Sequence, residues 1–143
     1  MIIIIILFIF LFLILFNKNK NQDFFENNSG VIFNLKLADT KEKQKNGLMY
    51  VKNMPENAGM LFKYNDIRNH SMWMKNTFIP LDILFLDKNY KLIDYVENTV
   101  PFSLEKISIN EPSQNIIELN GGSVKKFNLK KNQIINFNIV SFF

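Results

Sequence analysis

The chain has 143 residues, a formal net charge of +4 and no cysteine, and 48% of its residues are hydrophobic. Without cysteine, neither a disulfide framework nor a thiolate metal site is possible. The lysines are interspersed with acidic residues, which is typical of a solvated surface, so we predict no nucleic-acid partner.

The N-terminal segment, residues 1–16, is apolar without interruption from residue 2 to residue 16. As a helix, residues 2–16 would span about 22 Å, which is shorter than the ~30 Å hydrocarbon core of a bilayer. The run has no basic stretch before it and no small-residue cleavage site after it, so we predict an uncleaved hydrophobic helix that anchors the chain in a membrane. Lysines that follow the run favour a cytoplasmic location for that end of it. Segments of this kind nevertheless usually export the domain that follows them. The orientation stays open, with the extracytoplasmic (periplasmic) side expected for the domain.

A single domain is predicted to follow a polar linker. Residues 17–30 are the linker and residues 31–143 the globular domain. The domain begins with a strand over residues 31–37, where apolar and polar side chains alternate. A short helix comes next, because Asp39 can cap its first turn and Glu42 lies three residues later, as in a capping box.

The middle of the domain is predicted to alternate between turns and short strands. Residues 53–59 are rich in turn-forming types, residues 60–62 form a short buried strand, and residues 63–69 form a polar loop. Residues 70–82, HSMWMKNTFIPLD, are predicted as a strand, a tight loop and the start of a second strand. They contain the single histidine and the single tryptophan of the chain.

The second half is predicted to be mainly strands. The expected elements are strands at 81–87 and 91–97 around a hairpin loop, an irregular excursion at 98–113, a strand at 115–119, a helical turn at 124–127 capped by Ser123, and a strand at 133–140. Together these elements predict an α+β fold: a compact β-rich domain of about six to seven short strands with two short helices, behind the N-terminal hydrophobic helix. The strands would form either a curved mixed sheet or a small barrel.

Four motifs occur in a specific order: GLMYV (47–51), GMLF (59–62), WMKNTFIPLDILFLD (73–87) and IELNGG (117–122). Their order and spacing closely resemble those of the bacterial and archaeal family known as domain of unknown function 192, over roughly residues 31–139. The resemblance implies a small β-rich domain, often behind a signal peptide or membrane anchor, to which no reaction is attached.

The chain departs from the pattern of that family in three turns. The basic residue after the GLM motif is displaced to Lys52, and the hairpin after Asp87 lacks its glycine, so Asn89 or Tyr90 must take that place. The Gly-Asp turn before the last strand is replaced by Lys131–Asn132. These differences concern loop geometry rather than the fold.

The polar residues around the central loop are candidates for ligand binding. Lys75, Asn76 and Asp82 flank a tight loop, where they could bind a polar ligand or pair with one another and lock the loop. Trp73 could offer a stacking surface to a sugar or a peptide, or it could anchor the core.

A second hypothesis combines two carboxylates. Glu118 lies in a predicted strand, and with Asp82 it could form the acid/base pair of a hydrolytic enzyme. Alternatively, Glu118 is an ordinary glutamate on the outer face of a strand.

A third hypothesis concerns soft metals. On a strand, His70, Met72 and Met74 would share one face, which is a conceivable Cu(I) site. The alternative is that the methionines fill the core and the histidine is simply hydrogen-bonded, and this alternative is the commoner one.

We predict a membrane-tethered module that binds a small ligand, glycan or peptide at the cell envelope, and we predict no cofactor and no resident metal. The predicted binding residues are Trp73, Lys75, Asn76, Asp82 and Glu118. A hydrolase or transferase that acts on an envelope polymer is the alternative, and copper binding is a minor one. Binding is favoured over catalysis because no catalytic constellation stands out in the sequence.

Overall fold

The computed structural model describes residues 30–141, and within them the chain forms six strands and two short helices. The strands are β1 (Phe33–Ala38), β2 (Ala58–Arg68), β3 (Leu81–Leu86), β4 (Leu92–Val96), β5 (Ser113–Asn120) and β6 (Phe137–Ile139). The helices are α1 (Lys41–Asn46) and α2 (Ser123–Lys126). The predicted compact β-rich domain with two short helices is confirmed.

The strands of this described region form one mixed sheet in the order β4-β3-β5-β2-β1-β6. Strand β5 is antiparallel to both β2 and β3, and β3 is antiparallel to β4, whereas β1 is parallel to β2 and to β6. Because β4 and β6 lie at opposite edges, the sheet is open. Of the two predicted architectures, the mixed sheet is therefore correct and the small barrel is wrong.

Apolar side chains cover both faces of the sheet and form two core clusters. Leu61 and Ile117, paired across β2 and β5, belong to the cluster that α2 covers. Phe62 and Ile116, the next pair along, belong to the cluster on the other face. Strand β3 is buried along its whole length because it lies inside the sheet and both of its faces are covered.

Strand β2 is longer than the sequence predicts. The predicted strand at 60–62 and the predicted loop at 63–69 are largely one strand, Ala58–Arg68, whose first half is buried and whose second half is mostly exposed. The loop prediction is wrong because polar residues in an exposed strand give no contrast with a loop in the sequence. An irregularity in the pairing with β5 falls between Lys63 and Arg68.

The segment at residues 70–80 is irregular instead of beginning with a strand. One isolated bridge pairs Met72 with Ile107, and the N–H of Met74 donates to the backbone oxygen of Ser103 at 3.0 Å. The excursion predicted at 98–113 therefore supplies the backbone partners of this segment.

The two helices are capped by residues other than those predicted. The N-cap of α1 is Thr40, whose hydroxyl accepts from the N–H of Lys43, while Asp39 instead forms an ion pair with the Lys43 side chain. Helix α2 has Gly122 at its N-cap position, with no hydrogen bond from a capping side chain of its own. Its first N–H groups are satisfied by a carboxylate from β3, described below.

The predicted membrane anchor at residues 1–16 and most of the predicted linker at residues 17–30 lie outside the described residues. No helix within residues 30–141 has the length and apolar character needed to cross a bilayer.

Candidate functional site

The segment that follows β2 alternates between the core and the surface. His70, Met72 and Met74 are buried, whereas Trp73 and Lys75 are exposed. The Nζ atom of Lys75 lies 5.2 Å from the centre of the Trp73 ring, within cation–π range. This segment therefore presents an aromatic ring and a cation side by side on the surface.

Glu118 lies in the middle of the sheet, on the face that this segment covers. It is paired with Met60 on β2 and with Ile83 on β3, and directly paired residues of neighbouring strands share a face. Met60 and Ile83 belong to the core cluster that also contains Met72 and Met74. Glu118 is therefore a carboxyl group set into an apolar surface, with a side chain that is almost wholly buried.

A small cleft of about 70 Å³ extends from Glu118 to the surface. Its walls come from α1 and the turn after it, from β2, and from the segment that contains Trp73. The residues that line it include Lys45, Gly47, Phe62, Tyr64, Ser71, Trp73, Lys75 and Glu118.

The Glu118 carboxyl lacks a partner. Its Oε2 atom is buried and makes no hydrogen bond, and Glu118 is the one ionisable side chain among the buried unpartnered polar groups of the described region. Burial raises the pKa of Glu118 to about 8, because the apolar surroundings disfavour the charged form. The pKa of Tyr64 is raised to about 12, mainly by burial and then by the nearby Glu118.

Gly47 allows the chain to pass close to this carboxyl. Its φ is +49°, a left-handed conformation that side chains disfavour. A Cβ atom at this position would lie 3.2 Å from Cζ of Phe62 and 3.7 Å from Oε2 of Glu118. The glycine of the GLM motif is therefore explained by both the turn and the cleft.

Asp82 does not belong to this cleft. It is paired with Leu119 on β5, one position along from Glu118, so the two carboxylates point to opposite faces of the sheet. Asp82 is buried, and its oxygens accept from the backbone N–H groups of Asn98 at 2.8 Å, Gly122 at 3.0 Å and Val124 at 2.8 Å. The acid/base pair of Asp82 and Glu118 is incompatible with this arrangement, and Asp82 caps α2 instead.

Asn76 has a structural contact and Lys75 does not pair with Asp82. Asn76 has a φ of +54°, and its Nδ2 donates to the Tyr50 hydroxyl at 2.9 Å, which ties the central loop to the turn after α1. The three donors on Asp82 are all backbone groups, and Lys75 lies over Trp73. Of the five predicted binding residues, the structure brings three to one cleft: Trp73, Lys75 and Glu118.

The proposed copper ligands each have another contact. The His70 ring stacks on Tyr64 at 3.8 Å between ring centres, and Met72 Sδ accepts from the Tyr64 hydroxyl at 3.8 Å. Met74 Sδ accepts from the Thr99 hydroxyl at 3.1 Å. These contacts favour the core-filling alternative for the two methionines.

A model of the DUF192 family, described as "Uncharacterized ACR", matches residues 24–137. The chain belongs to the DUF192 family. No curated protein matches it.

Two solved structures are similar to this DUF192 chain. A candidate transcription regulator from Sinorhizobium meliloti 1021 is 38% identical, with a TM-score of 0.67, and the match covers 68% of this chain and 76% of the other. A protein of unknown function from Novosphingobium aromaticivorans DSM 12444 is 31% identical, also with a TM-score of 0.67, and the match covers 70% of this chain and 71% of the other.

Several residues of the cleft could not be recognised from the sequence of the DUF192 domain. Gly47 stood in a quoted motif, but nothing in the sequence indicated that it faces Glu118 across the fold. Tyr64 lies in the stretch predicted to be a polar loop, and Lys45 lies in the predicted short helix. Of these residues, Tyr64 could have been predicted, because Met60, Phe62 and Tyr64 alternate and extend the apolar face of β2 as far as the cleft.

Proposed function

We propose that this DUF192 domain is a membrane-tethered binding module, and that the cleft over Glu118 receives a small group of its ligand. The observation that carries the proposal is the buried Oε2 atom of Glu118, which has no hydrogen-bond partner and belongs to a side chain that lines a cleft open to the surface.

The burial of this carboxyl without a hydrogen-bond partner has an energetic cost. A buried polar group without a partner costs roughly 1–3 kcal/mol, and more if it is charged. A ligand that supplies a hydrogen-bonding partner recovers that cost on binding. Buried polar groups without partners are uncommon in folded proteins, which is why this one marks a candidate ligand site.

The mouth of the cleft suits the rest of a ligand. Trp73 is 43% exposed and offers a flat apolar face, while Lys75 beside it provides a cation. Aromatic rings of this kind stack on sugars and on planar or apolar groups. Three of the five residues predicted from the sequence, Trp73, Lys75 and Glu118, therefore form the proposed site, without Asn76 and Asp82.

Catalysis by Glu118 is the second candidate. A carboxyl with a pKa of about 8 keeps its proton at neutral pH and can act as a general acid toward an envelope polymer. Glycoside hydrolysis normally requires a second carboxylate on the other side of the bond, and Glu118 is the one carboxylate among the residues that line the cleft. Binding therefore accounts for the cleft with fewer additional groups.

The proposal is tested on the full chain in a non-ionic detergent. Trp73 is the single tryptophan, so its fluorescence reports directly on the mouth of the cleft. Envelope glycan fragments, short peptides, organic acids and amines are screened by Trp73 emission and by the midpoint of thermal unfolding. A compound present at 100 times its Kd stabilises the folded state by about 2.7 kcal/mol, which the thermal-unfolding midpoint detects.

A matched pair of variants assigns any binding to the cleft. Ser71→Phe fills the entrance, whereas Ser108→Phe makes the same change at an exposed position outside the cleft lining. A cleft ligand should act on the wild type and Ser108→Phe but not on Ser71→Phe. The proposal is refuted if no compound acts, or if the compounds that act bind Ser71→Phe as well as they bind the wild type.

A further inference from the structure

The geometry points to a ligand that carries a carboxylate: Glu118 donates a hydrogen bond to it from the closed end of the cleft, and Lys45 and Lys75 attract it at the entrance. This inference deepens the proposed binding function and rests on it. It gives the site a chemical class of ligand and a defined dependence on pH.

The first step is the protonation state of Glu118. None of the ion pairs within residues 30–141 includes Glu118, and its two neighbours across the sheet are Met60 and Ile83. The titratable groups that line the cleft with it are Lys45 from α1, Tyr64 from β2 and Lys75 from the central segment. The two lysines are exposed at the surface, so water screens them from the buried carboxyl.

The second step is the charge of the cleft. With Glu118 protonated, the charged groups that line the cleft are the ammonium groups of Lys45 and Lys75. A cationic ligand would have to pass both lysines and then remove the proton from a carboxyl in apolar surroundings. An anionic ligand is attracted by the lysines, and its oxygen can accept the O–H of Glu118 in a short charge-assisted hydrogen bond.

The size of the cleft limits which part of a ligand can enter it. A cleft of about 70 Å³ is sufficient for a carboxylate and a short stem, but not for a sugar ring or an amino-acid side chain of ordinary bulk. The carboxylate would therefore enter the cleft, and the rest of the ligand would remain outside against Trp73. The carboxylate could belong to a free organic acid, to the C terminus of a peptide or to an acidic sugar.

The test compares three small probes of nearly equal size: propanoate, propanamide and propylammonium. They are titrated into the full chain in a non-ionic detergent at constant ionic strength, at pH 6 and at pH 9, with Trp73 emission and thermal unfolding as readouts. Propanoate stays ionised across this range, so a change in its affinity reports on the protein.

We expect propanoate to bind in the millimolar range at pH 6 and more tightly than the other two probes. Its affinity should fall about tenfold by pH 9, because Glu118, whose pKa is near 8, is then mostly ionised and repels the anion. Glu118→Gln keeps a neutral donor, so it should bind propanoate within about threefold of the wild type at pH 6 and lose most of the weakening at pH 9. Lys75→Met should weaken binding a few-fold at both pH values, as expected for an exposed cation.

The failures of this inference and of the proposed function are distinguishable. If propylammonium binds more tightly than propanoate, or if the affinity for propanoate does not fall with pH, the cleft binds ligands but the carboxylate inference is overturned. If none of the three probes changes either readout, the carboxylate inference is overturned, and if the screen above also finds no ligand, the binding function itself fails. If propanoate binds as expected, N-acetylglycine and glucuronate are measured against it. They distinguish a peptide C terminus and an acidic sugar from a free acid.

Discussion

Replacing Glu118 by glutamine should make the protein more stable at neutral pH, even though the residue is buried in the middle of the sheet. Burial raises the pKa of Glu118 from its ordinary 4.5 to about 8 in the folded protein. Between these two pH values the folded chain holds a proton that the unfolded chain has released. Unfolding therefore releases a proton, and the stability contributed by this group falls as the pH rises from 4.5 to 8.

The expected magnitude follows from linkage. Each pH unit in this window costs about 1.4 kcal/mol, so the loss between pH 5 and pH 7.5 is about 3 kcal/mol. Glutamine has nearly the same shape and does not titrate. Glu118→Gln should therefore match the wild type within about 1 kcal/mol near pH 4.5 and exceed it by roughly 2 to 3 kcal/mol at pH 7.5.

The assay is urea unfolding of the full chain in a non-ionic detergent at several pH values, followed by Trp73 emission. Glu105→Gln, the same change at an exposed position, is the control and should follow the wild type at every pH. The reasoning is refuted if the difference in stability between Glu118→Gln and the wild type stays constant from pH 5 to pH 7.5. It is also refuted if Glu118→Gln is the less stable protein at pH 7.5.

Three further predictions concern parts of the molecule outside the cleft. Asp82→Asn should destabilise the domain by about 2–4 kcal/mol in urea unfolding, because an amide cannot accept from three backbone N–H groups. The control is Asp94→Asn at a partly exposed position, which should cost no more than about 1 kcal/mol. Gly59→Ala should cost about 1–3 kcal/mol or prevent folding, because its Cβ would lie 2.2 Å from a backbone oxygen of β5, and a stability equal to that of the wild type would contradict this close packing. Deletion of residues 2–16 should move the chain from the membrane fraction to the supernatant after centrifugation of cell lysates, and a chain that still sediments with membranes would argue against the predicted anchor.

Much of the fold could be predicted because the signals for it are local. Strands β1, β3, β4 and β5 were expected from alternating or continuous apolar runs close to their observed bounds. The second half of β2 could not be predicted, because exposed polar residues give the same pattern in a strand and in a loop. Segment 70–80 was expected to begin with a strand because its side chains do alternate, but its backbone is bonded to a distant loop, which the local sequence does not reveal.

The candidate site was harder to predict because it depends on which face of the sheet each residue occupies. Asp82 and Glu118 were equally plausible as site residues in the sequence, since both are acids within strands. Their faces are fixed by the register of β3 against β5, where Asp82 is paired with Leu119 and Glu118 with Ile83. A shift of one residue would pair Asp82 with Glu118 and place both on one face, and because β3 is apolar on both faces its own pattern does not specify the register.

The domain buries two acidic side chains, Asp82 and Glu118, in contrasting surroundings. Asp82 has three backbone donors and closes the start of a helix, so its burial is explained by structure. Glu118 has an oxygen without a donor, and its ionisation is suppressed by the surrounding core. A change from acid to amide should therefore have opposite effects at the two positions, lowering stability at Asp82 and raising it at Glu118 near neutral pH. Folding alone does not explain why position 118 carries a glutamate that makes the protein less stable near neutral pH than glutamine would. Such losses of stability are typical of functional sites.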